Sequence, residues 1–86
     1  MSNKRNTIWE DIELELRKAK KKFPGWPDHP AAQAGIVCEE AGELMQACLQ
    51  YKYQRELKND AGHQESMRKE AIQTAVTAIR FLENLK

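Results

Sequence analysis

The sequence predicts an all-α fold on three observations. Three stretches carry apolar residues at three- and four-residue spacing. Two breaks, one built on Pro and Gly and one on Asn, Asp and Gly, separate them. No stretch alternates apolar and polar residues as a half-buried strand would. The 86 residues, 9.9 kDa, suffice for one domain. Residues 1–28 supply a first helix and a Pro/Trp loop, and residues 29–85 supply two further helices. A chain of this length buries roughly 60–65% of the surface its unfolded form exposes. A bundle of about three helices is therefore expected to be completed by oligomerisation, as a homodimer or homotetramer.

The first helix is expected from about Thr7 to Lys22, with Asn6 or Thr7 as its N-cap. Ile8, Trp9, Ile12, Leu14, Leu16 and Ala19 mix with early acidic residues, while Lys18, Lys20, Lys21 and Lys22 gather at the end. That order complements the helix dipole; a phosphate or nucleic-acid patch would use the same lysines. Phe23-Pro24-Gly25-Trp26-Pro27-Asp28-His29-Pro30 cannot continue a helix. Pro30 suits the first turn of the second helix, with Asp28 or His29 at its cap. This helix is expected to reach Leu57, a second break to cover Lys58–His63, and the third helix to run from about Gln64 to Leu85.

Charge and cysteine usage narrow the function. Lys+Arg 14 against Asp+Glu 13 leaves a net charge of +1, which argues against a nucleic-acid partner. No apolar run approaches the ~20 residues needed to cross a bilayer. The basic N-terminus leads into no apolar signal region, so a cytoplasmic location is expected. Cys38 and Cys48 on one helix would stand roughly 15 Å apart, beyond disulfide reach, and are expected to be reduced and buried.

Placed on a wheel at ~100° per residue, the second helix shows an apolar stripe of Ala34, Val37, Ala41, Leu44, Cys48 and Tyr51. Glu40 falls inside the wider apolar arc and Glu43 at its margin, while Glu39 points into the polar face. An ionised carboxylate in such an arc is costly unless a cation or a donor compensates it. On the third helix, residues from Ala71 to Leu85 spread apolar character over roughly 220°, enough to pack on two sides. Glu70 lies at the boundary of that arc and Gln73 one turn on. If the two helices pack antiparallel, the pairs converge into an oxygen-only set suited to Mg2+ or Mn2+.

At these residues the sequence resembles the all-α nucleoside triphosphate pyrophosphohydrolases, the MazG-like family. Its signature is E-E-x-x-E on one helix and E-x-x-D on the next. Here Glu39-Glu40-Ala41-Gly42-Glu43 matches the first, and Glu70-Ala71-Ile72-Gln73 the second with Gln73 in place of aspartate. The resemblance implies Mg2+-dependent hydrolysis of a nucleoside triphosphate to a monophosphate and pyrophosphate. It makes Glu40, Glu43, Glu70 and Gln73 the metal ligands, with Glu39 orienting the attacking water. The phosphates would be met by Lys52, Arg55, Lys58, Lys69 or Arg80, and the base by Trp26 or His29. Covering the core is the other role open to Trp26. Gln73 removes one negative charge from the family's set, so a non-catalytic helical oligomer that binds a nucleotide, metal or protein stands beside the enzyme.

Overall fold

The computed structural model describes residues 4–86, and these are helical apart from short connections. The order is α1 (Lys4–Lys22), α2 (Pro30–Tyr53), a 3-10 turn at Arg55–Leu57 and α3 (Asp60–Glu83). No helix among the described residues is long and apolar enough to cross a membrane.

Each end has a local cause, and two differ from expectation. Helical geometry is already in place at Lys4, so neither Asn6 nor Thr7 caps α1. Lys20, Lys21 and Lys22 occupy its last turn, and Lys20 meets Glu83 of α3 at 2.8 Å. Of the two residues expected at the α2 cap, His29 serves: its Nδ1 accepts from the Ala31 N–H at 3.0 Å. The second break falls earlier than the sequence suggests. α2 stops at Tyr53, and Asn59 caps α3 by accepting from the Gly62 N–H at 2.7 Å. Gly62 and His63 thus lie inside α3. A Cβ on Gly62 would come within 3.1 Å of the Asn59 side-chain oxygen, which accounts for a glycine in that turn.

α3 packs along both α1 and α2, which make no comparable contact with each other. The two-sided packing expected of the third helix is thereby met within one chain. The result is a single layer, α1–α3–α2, measuring 43 × 33 × 20 Å. Its radius of gyration of 14.5 Å exceeds the roughly 12 Å of a compact chain this long.

The two seams differ in chemistry. Between α1 and α3, Ile12 packs with Ile72 and Val76, flanked by Leu16, Ala19, Ala75 and Ile79. Between α2 and α3, Ala47 is the buried apolar residue of α2, Glu40 and Glu70 are half-buried, and Gln33 and His63 are buried toward the two ends of α2. The apolar stripe expected to be the inner face of α2 is therefore turned partly outward. Ala34 and Ala41 of the stripe are exposed while Val37, Leu44, Cys48 and Tyr51 are half-buried, Cys38 and Met45 beside it are exposed too, and the packing face is centred on Gln33, Glu40 and Ala47. Cys38 accordingly lies at the surface and Cys48 is half-buried, both as free thiols.

Three of the buried polar residues hold irregular backbone. Gln33 donates to the Pro27 carbonyl at 2.8 Å. The Nε2–H of His63 donates to the Arg55 carbonyl at 3.0 Å. Arg80 donates to the Phe23 carbonyl at 2.9 Å and lays its guanidinium 4.5 Å from the Trp26 ring centroid. Loop carbonyls removed from water require such donors. Replacing Arg80 by Met keeps the aliphatic stem and removes the donor and the stacked charge. We expect a loss of about 2 kcal/mol, read as a fall of about 8–16 °C in the melting temperature.

Candidate metal centre

The carboxylates of Glu40, Glu43 and Glu70 converge across the α2–α3 seam. Each offers an oxygen, and these oxygens all lie within 4.8 Å of one another. Glu40 and Glu43 stand one turn apart on α2. Antiparallel α3 brings in Glu70, half-buried like Glu40, whereas Glu43 is exposed. A groove of about 340 Å3 opens beside them, lined by Glu43, Gln46, Ala47, Gln50, Lys58, Ser66 and Glu70.

No cation of the chain pairs with this trio among the ion pairs of the described residues, which join Lys18–Glu15, Lys20–Glu83, Arg55–Asp60 and Arg68–Asp11. The electrostatic consequence falls on Glu40. Burial raises its carboxyl above the ordinary 4.5; Glu43 adds to the rise by repulsion and a side-chain hydrogen bond, and repulsion from Glu70 and Glu39 follows.

The donor set fits a hard divalent ion. Oxygens on opposite sides of Mg2+ stand about 4.2 Å apart at the usual ~2.1 Å bond length, so a largest separation of 4.8 Å closes on the ion by small side-chain movements. Three carboxylates without sulfur or imidazole exclude the soft-metal alternatives.

The remaining residues singled out from the sequence are dispersed. Glu39 is exposed and stands outside the trio, adding the smallest share of the repulsion on Glu40. Gln73 is tied to α1: its amide nitrogen donates to Glu15 at 3.1 Å. It lines, with Lys69, a separate groove between α1 and α3. Arg80 and Trp26 are stacked on one another under the Phe23–Pro30 loop, and the Arg80 side chain is 6% exposed, so this pair is structural. The ring nitrogen of His29 is committed to its helix cap. Lys52 lies over the Tyr53 ring, and Arg55 over the Tyr51 ring with a hydrogen bond to its hydroxyl at 2.9 Å.

Of the cations considered, Lys58 is the one beside the trio, its Nζ donating to Ser66 Oγ at 2.7 Å. Gln46, Gln50 and Ser66 also line this groove and were not anticipated. Their signal was the spacing: Gln46 and Gln50 continue the edge of α2 that starts at Glu43, and Ser66 precedes Glu70 by one turn.

No family model matches the chain, and neither the curated proteins nor the solved structures contain a significant match.

A folded chain that raises the Glu40 pKa binds that proton more tightly than the unfolded chain does. The stability this group contributes is fully present below its ordinary pKa and is lost as pH rises through the raised value. Without divalent ions, Glu40→Gln should therefore melt higher than wild type at about pH 7, by about 4–8 °C per kcal/mol regained. The gap should close toward about pH 4. Mg2+ or Mn2+ should raise the wild-type melting temperature at neutral pH, and less so as protons compete for the ligands.

Proposed function

We propose that the chain is a Mg2+- or Mn2+-dependent nucleoside triphosphate pyrophosphohydrolase of the MazG-like, all-α kind, acting on the nucleotide pool. The observation that carries this reading is the meeting of Glu40, Glu43 and Glu70 within 4.8 Å across two helices. It occurs at the positions where the resemblance expects metal ligands.

Held by those three carboxylates, the ion would neutralise triphosphate charge and make a water nucleophilic at neutral pH. The chain's own residues do the rest. Lys58, one side of the groove from Glu43 and Glu70, donates to non-bridging phosphate oxygens. Glu39, exposed on the same helix, accepts a proton from the attacking water. Attack at the α-phosphorus breaks the α–β bridge and yields a nucleoside monophosphate and pyrophosphate.

One observation favours a second reading, a non-catalytic relative that binds a metal, nucleotide or protein. The amide nitrogen of Gln73 is tied to Glu15, and an amide stands where the family pattern has a carboxylate, so the site carries less negative charge than that pattern supplies.

Pyrophosphate release from a panel of canonical and modified nucleoside triphosphates separates the two. The enzyme reading expects turnover with Mg2+ or Mn2+ that falls about 100-fold or more in Glu43→Gln and in Glu70→Gln. Gln73→Asp should bring no gain, because it sets a second carboxylate against Glu15. An inert wild type that acquires turnover in Gln73→Asp would identify the non-catalytic relative.

A further inference from the structure

Among the described residues, Lys58 is the one cation that lines the carboxylate groove, and three local features fix where its ammonium stands. The first is the turn that carries it. Buried His63 donates from Nε2 to the Arg55 carbonyl at 3.0 Å, which ties the 3-10 turn Arg55–Leu57 to α3. The backbone leaves that turn extended at Lys58, and Asn59 then caps α3. The second feature is Gly62. A Cβ there would lie 3.2 Å from the Lys58 Cβ and 3.7 Å from its Cδ, so the lysine stem runs closely over the first turn of α3. The third is Ser66, whose Oγ accepts from the Lys58 Nζ at 2.7 Å. Gly62, Ser66 and Glu70 recur at four-residue spacing and share one stripe of α3. Lys58 lies along that stripe toward Glu70, and Ser66 stops its ammonium one turn short, about 6 Å of helix rise.

We infer that Ser66 is a positioning residue for Lys58: its hydroxyl holds the ammonium beside the carboxylate trio and off it, aimed at the phosphates of a metal-bound polyphosphate. The inference rests on the metal-dependent phosphate chemistry proposed above. A lysine ammonium has three donors. Ser66 takes one, which leaves two for non-bridging phosphate oxygens. The four-carbon lysine stem is flexible, and holding its head group on a neutral hydroxyl removes part of the ordering cost that phosphate binding would otherwise carry. It also leaves the carboxylates to the ion: no ion pair joins Lys58 to the trio among those of the described residues. Helix formation does not account for the serine, because alanine is the better helix former at such a position.

Calorimetry with inorganic tripolyphosphate in excess Mg2+ reads the lysine without requiring turnover. Lys58→Met should weaken binding about tenfold or more, and Ser66→Ala about fivefold. The double variant should bind no more weakly than Lys58→Met alone, because the hydroxyl acts through the ammonium. Ser66→Thr keeps a hydroxyl and should stay within about twofold of wild type. A serine that only supported the helix would cost the same with or without Lys58, and threonine would not restore binding. Wild-type binding with an unchanged Ser66→Ala, or with losses that add in the double variant, overturns the role of Ser66 alone. A wild type that does not bind tripolyphosphate also overturns it, and Mn2+ titration of the same sample then shows whether the metal centre fails with it. Non-additive losses in a protein that turns over no nucleotide would uphold Ser66 and reject the catalytic reading.

Discussion

The seam between α2 and α3 contains very little apolar material, and most of what is distinctive in this molecule follows from that. Ala47 is the one buried apolar residue of α2, and the seam on either side of it carries half-buried Glu40 and Glu70 at its centre and buried Gln33 and His63 toward its ends. Polar groups at such depth require partners. Gln33 and His63 find theirs in backbone carbonyls at the two ends of α2, fixing the loop before it and the turn after it. The glutamates in the middle find only each other. Hydrogen bonding therefore closes the seam at its ends and electrostatics strains it at its centre, at the point where a divalent ion would relieve the strain.

Sequence reading reached the centre of this arrangement because helix geometry is stiff. Residues three and four apart share a face whatever surrounds them, so Glu40 beside Glu43, and Glu70 opposite, followed from spacing once the two helices were antiparallel. Neighbours that depend on the path of irregular backbone were out of reach. Arg80 resembled a surface cation on a polar face, yet that face is wedged against α1 and the Phe23–Pro30 loop, and the guanidinium serves the loop. Gln73 sat one turn from Glu70, but α1 on its other side supplied a better acceptor in Glu15. Nothing in one sequence reveals which of two flanking helices a side chain will choose.

The inner face of α2 illustrates the same limit in another way. Apolar residues on a wheel indicate where water is to be excluded, without saying by what. The apolar arc of α2 around Ala34, Val37 and Ala41 is too wide for one neighbour, and α3 takes the edge that contains Glu40 rather than the centre of the arc. Burial of Glu40 is thus a consequence of how the helix is shared. The break between α2 and α3 was misplaced for a local reason. A glycine at position 62 signals a break in the sequence, whereas Asn59 three residues earlier caps a helix in which Gly62 leaves room for the capping oxygen.

The unlike seams on either side of α3 also bear on how the chain comes apart. α1 is held by hydrocarbon contacts and by the ion pairs Lys20–Glu83 and Arg68–Asp11, which salt screens. α2 is held by hydrogen bonds around a knot of like charges, whose strength follows proton and ion activity. Added salt therefore weakens attraction on the α1 side of the layer and repulsion on the α2 side.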